Sequence, residues 1–84
     1  MPSSIRSARH QRLADILTGY RRKAGLHQAD VAKTLGRHQP FVANIESGQR
    51  RVDVIEFLEL SKVIGFDPIE AITDLLRLEN DEQE

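Results

Sequence analysis

Residues 28 to 48, QADVAKTLGRHQPFVANIESG, contain two short helical patterns that are separated by a glycine. The first pattern predicts a helix over residues 28–35 that stops at Gly36. Because proline is tolerated in the first turn of a helix but not in its interior, Pro40 predicts that the second helix begins at about residue 39 and ends near residues 47–48. Two short helices joined by a turn that contains glycine form a helix-turn-helix, whose second helix enters the major groove of DNA.

The apolar residues of the second helix leave its polar residues on the outside. Val42 and Ile45 recur at helical spacing, and we expect them to pack against the neighbouring helices, where Ala32 is small enough to permit close approach. The outer face then carries Gln39, Ala43 and Asn44. Side-chain amides suit bidentate pairing with adenine, so Asn44 is either a base-reading residue or an ordinary polar surface residue.

Helices are also predicted on both sides of this pair. Residues at helical spacing predict a first helix over residues 7–24, followed by a left-handed Gly25, and its apolar stripe comprises Leu13, Ile16, Leu17, Tyr20 and Ala24. Asp53 and Glu56 form a capping box for a fourth helix that ends at Gly65. One face of this helix carries Val54, Phe57, Leu60, Ser61 and Ile64.

A fifth helix is predicted after Asp67, because this capping residue is followed by Pro68 and by an acidic residue, Glu70, in the first turn. Its apolar residues are Ile69, Ile72, Leu75, Leu76 and Leu78. The expected architecture is all-α, with five helices. We expect one helix-turn-helix domain over residues 10–78, a basic N-terminal arm over 1–9 and an acidic tail over 79–84.

Composition excludes several classes of function. The chain has 84 residues and no cysteine, and its three histidines, His10, His27 and His38, lack the spacing of metal ligands, so we expect no metal and no cofactor. No serine, histidine and acid come together as a nucleophile and its base, so we do not expect an enzyme. The apolar runs are too short for a membrane span, and the N-terminus is too polar for a signal peptide, which predicts a cytoplasmic protein without membrane contact.

The charges of the chain are separated along its length. Residues 1–51 contain ten Lys and Arg against three acidic residues, whereas residues 52–84 contain two against ten. A basic half suits a polyanionic partner, although two solvated faces of opposite sign would give the same pattern. The basic run Arg6, Arg9 and Arg12 is open to the same two interpretations, as a solvated face or as an arm in the minor groove.

The segments GLHQADVAKTLGRHQPFVANIESGQRR (25–51) and FLELSKVIG (57–65) resemble the Cro/phage-repressor type of helix-turn-helix protein, the XRE family. The resemblance covers about residues 10–66 without gaps and implies a lambda-repressor-like fold. In that family the start and outer face of the third helix read bases, which here implies His38, Gln39 and Asn44. Contacts to phosphate are implied for Gln28, Gln49, Arg50 and Arg51, although Arg50 and Arg51 are also compatible with a solvated loop. We also expect Arg37 to contact phosphate. A structural ion pair is implied between Arg21 and Glu46.

The sequence departs from the family at His27 and His38, where serine or threonine usually caps a helix. A neutral imidazole could accept the same hydrogen bond, and its protonation would then make the fold sensitive to acid. Both histidines could equally be exposed polar residues. Phe41 either packs into the core or contacts a thymine methyl group.

The resemblance implies a sequence-specific transcriptional regulator that binds double-stranded DNA as a homodimer on a pseudo-palindromic operator. The fifth helix offers Ile69, Ile72, Leu75 and Leu76 as a dimer interface, unless these residues only close the core of the monomer. The alternative function is that of an antitoxin, which would bind a toxin protein through its acidic fifth helix or tail and would also bind DNA.

Overall fold

The computed structural model describes residues 7 to 81, and it describes side chains up to residue 77. Within these residues the chain forms five α-helices and no strand, so the predicted all-α fold is confirmed. The helices are α1 (Ala8–Lys23), α2 (Gln28–Leu35), α3 (Gln39–Glu46), α4 (Val54–Ile64) and α5 (Pro68–Asp81).

Local capping interactions explain where the helices begin. The hydroxyl of Ser7 accepts a hydrogen bond from the His10 N–H at 3.1 Å, which caps α1. At α4 the predicted capping box is present, because Asp53 Oδ1 accepts from the Glu56 N–H at 2.7 Å and Glu56 Oε1 accepts from the Asp53 N–H at 3.2 Å. At the end of α2, Gly36 has a φ of 73°, a left-handed conformation that strains other residues.

The core lies where α1, α2, α3 and α4 meet, and α5 closes it against α1. Val31 and Ala32 of α2 are 0% and 1% exposed, so α2 is packed closely between its neighbours. Phe66, in the turn between α4 and α5, stacks on Tyr20 with ring centroids 4.5 Å apart, a contact that helical periodicity did not predict. The remaining buried apolar residues of this core are Ile16, Leu17, Val42, Ile45, Phe57, Leu60 and Ala71.

Several predicted boundaries and faces need correction. Val54 was expected inside but is 71% exposed, because the first residue of α4 lies beyond the edge of the core, and Ala24 is also exposed. Residues 8 and 9 belong to α1, which shortens the predicted arm, and Arg6 lies outside the described residues. Helix α5 continues to Asp81, so the first three residues of the predicted tail are helical.

Arg12 also has a structural partner. Its Nη2 donates to Asp74 Oδ1 at 2.7 Å, which links α1 to α5. Both side chains are more than a third exposed, so this ion pair contributes little to stability. Over residues 7–81, no helix is long and apolar enough to cross a membrane, and no group of three acidic or histidine residues could hold a metal ion.

Candidate nucleic-acid interface

Helix α3 is too short to be stable alone and is held by its inner face. Val42 and Ile45 are each 3% exposed and pack into the core, as predicted. Pro40 lies in the first turn, where its missing N–H breaks no intrahelical hydrogen bond. On the outer side the predicted base-reading residues His38, Gln39 and Asn44 are all exposed, whereas Ala43 is half-buried.

A buried ion pair joins the end of α3 to α1. Arg21 Nε donates to Glu46 Oε2 at 2.6 Å and Arg21 Nη2 donates to Glu46 Oε1 at 3.0 Å, a bidentate geometry. Arg21 Nη1 also donates to the Leu26 carbonyl at 2.8 Å, so the same guanidinium supports the turn before α2. The Arg21 and Glu46 side chains are only 10% and 9% exposed.

Both groups of this pair are held in their charged forms. Burial raises the pKa of Glu46, but the hydrogen bonds from Arg21 and Gln28 and the charge of Arg21 outweigh it, so the pKa lies below its ordinary value. The hydrogen bond to Glu46 is also the largest reason why the pKa of Arg21 is raised. The end of α3 is therefore fixed by a charged pair at neutral pH.

Two glutamines extend this pair towards the outer surface. Gln28, the first residue of α2, is half-buried, and its Nε2 donates to Glu46 Oε1 at 2.9 Å. Its Oε1 lies 3.5 Å from Nε2 of Gln39, the first residue of α3. The carboxylate thus fixes the orientation of the Gln28 amide, and the Gln28 oxygen in turn favours one orientation of the exposed Gln39 amide.

The predicted phosphate-contacting arginines Arg37 and Arg50 form a second polar cluster. Arg50 Nη2 donates to Glu56 Oε2 at 2.6 Å, and Arg37 Nη2 lies 3.5 Å from the same oxygen. The guanidinium carbon of Arg37 lies 4.3 Å from the centre of the Phe41 ring, and that of Arg50 lies 4.7 Å from it. Phe41 is half-buried, so its ring packs against the core and also contacts the two guanidinium groups.

Hydrogen bonds link the loop after α3 both to α3 and to α1. The N–H groups of Gln49 and Arg50 donate to the Asn44 carbonyl at 2.9 and 3.1 Å, which folds the loop back onto α3. His10 Nε2 lies within hydrogen-bond distance, 3.0 Å, of the Gly48 carbonyl oxygen. The predicted phosphate contacts Gln49 and Arg51 are exposed on this loop.

The two histidines that precede α2 and α3 are exposed. At α2 a capping hydrogen bond uses the backbone of His27, whose N–H donates to Asp30 Oδ2 at 2.9 Å. The side chain of His38 makes no capping hydrogen bond to α3, so its imidazole is not needed to begin that helix. This arrangement removes the reason for acid sensitivity that the sequence suggested at His38.

Large apolar residues of α4 and α5 remain exposed in the part of the chain that the structure describes. Ile69 and Leu76, two of the predicted dimer residues, are 72% and 52% exposed, and Ile72 is 40% exposed. Leu75, the fourth, is half-buried and packs against the core. We call the exposed residues the α4–α5 apolar surface: Val54, Ile55, Leu58, Ile69, Ile72 and Leu76.

Glu56 and His10 are the site residues that sequence reasoning did not identify. Glu56 was recognised as a capping residue, but its contacts with Arg37 and Arg50 depend on the packing of α4 against α2 and the loop. His10 and Gly48 are 38 positions apart, and no local pattern links them.

The sequence of residues 12–84 matches a protein family described as a helix-turn-helix domain. An uncharacterized HTH-type transcriptional regulator of Sinorhizobium fredii is 34% identical over 53 residues, which cover 63% of this chain and 69% of that relative.

Solved structures have the same arrangement of helices. An XRE-family like protein from Pseudomonas syringae pv. tomato is 42% identical, with a TM-score of 0.79 over 84% of this chain and 87% of that one. The restriction-modification controller protein C.AhdI from Aeromonas hydrophila is 28% identical, with a TM-score of 0.71 over 77% and 98% of the two chains. A variant of the controller protein C.Esp1396I has a TM-score of 0.76 over 93% and 98% but is only 17% identical, so it supports the fold alone.

The five helices and the exposed outer face of α3 define a helix-turn-helix protein of the XRE type. The chain belongs to the helix-turn-helix domain family, whose regulators bind DNA.

Proposed function

We propose that this protein is a sequence-specific transcriptional regulator that binds double-stranded DNA as a homodimer on a pseudo-palindromic operator. The observation that carries this proposal is the construction of α3, whose inner residues are buried and whose end is fixed by the Arg21–Glu46 pair. Its polar outer residues perform no packing role and remain exposed. A rigid helix that presents amides and an imidazole suits the edges of base pairs in the major groove.

The proposed contacts divide into base reading and backbone binding. Gln39, at the start of α3, is proposed to reach the bases most deeply, while Asn44 is offset from it by about 140° around the helix and reads a neighbouring base pair. His38 lies immediately before Gln39 and is the third candidate for base contact. Phosphate contacts are proposed for Gln28, Arg37, Gln49, Arg50 and Arg51.

The proposed dimer forms through the α4–α5 apolar surface. Ile69, Ile72 and Leu76 stay exposed in the monomer, which argues against the alternative that they only close its core. Leu75 is already half-buried, so its part in the interface is smaller than the sequence suggested. A twofold pair of such domains would place its α3 helices about 34 Å apart, which predicts half-sites spaced by about 10 bp.

The names of the similar proteins favour a regulator over an antitoxin. They include an HTH-type transcriptional regulator and restriction-modification controllers. The Asp74 carboxylate of α5 is already paired with Arg12, so it is less available to a basic toxin. A regulator of bacterial type would act in the cytoplasm.

Selection of bound sites from random DNA duplexes, followed by footprinting, tests this function. We expect one enriched sequence with twofold symmetry and a footprint that covers two half-sites about one helical turn apart. Enrichment of a single half-site would contradict the homodimer, and the absence of any enriched sequence would contradict sequence-specific binding.

A further inference from the structure

Glu56 has a more constrained carboxylate than a helix cap requires. Its side chain is only 10% exposed, and one oxygen, Oε1, accepts from the Asp53 N–H at 3.2 Å as part of the capping box. The other oxygen, Oε2, faces two arginines and accepts from Arg50 at 2.6 Å. The start of α4 therefore fixes an anion directly beneath the loop that follows α3.

The arginines held by this anion remain partly open to solvent. The side chains of Arg37 and Arg50 are 43% and 38% exposed, and both guanidinium groups lie within 4.7 Å of the Phe41 ring centre. Two neighbouring cations repel each other, and the ring and the single carboxylate offset that repulsion. Each guanidinium directs only its Nη2 nitrogen to Glu56, so its other N–H groups can bind a further acceptor.

We propose that Glu56 is a positioning residue for DNA binding, which holds Arg50 and Arg37 over Phe41 so that both guanidinium groups meet phosphates beside the site read by α3. This inference rests on the proposed function. Ordering a long side chain on binding weakens affinity, and a guanidinium that is already ordered in the free protein avoids that loss. Because phosphate contacts set the register of a protein on DNA, fixed arginines also favour the position at which α3 meets its bases.

Replacement of Glu56 by glutamine separates this role from capping. Glutamine has nearly the same shape and serves equally at this position of a capping box, but it lacks the charge that holds the arginines. The matched control is E59Q, which removes the same charge from an exposed position of α4. Dissociation constants would be measured for wild type, E56Q and E59Q on the selected operator and on a scrambled duplex, with urea unfolding to verify that each variant is folded.

Both variants become more positive, which strengthens binding to any duplex, so the informative quantity is the ratio of operator affinity to scrambled-duplex affinity. We expect E56Q to lower this ratio about threefold to tenfold, the range that corresponds to ordering one long side chain in the operator complex, where the arginines must adopt a single register. We expect E59Q to leave it unchanged. In the R50A background E56Q should change the ratio much less, because the main partner of Glu56 is then absent. If Glu56 had a purely structural role, the effect of E56Q would persist in that background.

The inference would be overturned if the ratio of operator affinity to scrambled-duplex affinity were the same for E56Q and E59Q. It would also be overturned if E56Q bound the operator more tightly and more selectively than wild type, because Glu56 would then compete with DNA for the arginines. If E56Q does not fold, E56D tests the same point. Aspartate keeps the charge but is one methylene shorter, so it no longer reaches Arg50 at 2.6 Å, and the same fall in the ratio of operator affinity to scrambled-duplex affinity is expected; an unchanged ratio would overturn the inference. A wild-type protein without operator preference would instead overturn the proposed function and this inference with it.

Discussion

Replacing Glu46 by alanine would leave the guanidinium of Arg21 buried with one of the three hydrogen bonds that it makes in the described structure. Removing one partner of a buried ion pair destabilises a protein by about 3 to 5 kcal/mol. Because the Arg21 side chain keeps 10% exposure and the Leu26 carbonyl as a partner, we expect the lower end, about 3 kcal/mol. For a domain of this size that loss lowers the melting temperature by roughly 12 to 24 °C.

Urea unfolding followed by circular dichroism, at one fixed protein concentration, measures this change. E59A, on the exposed side of α4, is the matched control and should change the unfolding free energy by less than about 0.5 kcal/mol. The double variant R21M/E46L removes both charges and should recover most of the stability that E46A loses. A loss below about 1 kcal/mol for E46A would refute the reasoning, because α3 would then be held by its apolar residues alone.

Three further outcomes follow from the geometry. The pKa of Glu46 is lowered in the folded state, so its contribution to stability is fully present above the unfolded value of about 4.3 and is lost as the pH falls from there through the lower folded value. The unfolding free energies of wild type and E46Q should therefore differ by a constant amount above about pH 4.3 and approach each other as the pH falls further. Leu76→Asp places a charge on the α4–α5 apolar surface, and sedimentation should show a folded monomer with weaker operator binding, whereas an unchanged dimer would exclude Leu76 from the interface. Arg51→Ala should flatten the slope of the logarithm of the DNA-binding constant against the logarithm of the salt concentration by about one, because Arg51 is an exposed cation of the loop. An unchanged slope would place Arg51 outside the interface.

The helix boundaries were predictable because the signals that set them are local. Pro40 and Gly36 each restrict their own backbone, and the Asp53 capping box spans only three residues, so the sequence alone indicates where α2, α3 and α4 begin or end. The inner face of α3 was equally predictable, since two apolar residues at helical spacing can be buried on only one side.

The polar clusters could not be predicted from local pattern. Arg50 was expected to contact phosphate or to lie in a solvated loop, whereas its contact with Glu56 depends on how α4 packs beside the loop. The His10–Gly48 and Arg12–Asp74 contacts join positions 38 and 62 residues apart. Helical periodicity also placed Val54 inside, because a repeating pattern does not reveal that a helix begins beyond the edge of the core.

Binding of Gln39→Ala to the selected operator and to a scrambled duplex tests most directly whether α3 reads bases. Gln39 is exposed at the start of α3, and its amide lies 3.5 Å from that of Gln28, so truncation should leave the fold intact. We predict a loss of about 1 to 3 kcal/mol on the operator, relaxed preference at one base position per half-site, and nearly unchanged affinity for the scrambled duplex. Equal losses on both duplexes would make Gln39 a backbone contact, and no loss on either would contradict the claim that α3 reads this DNA.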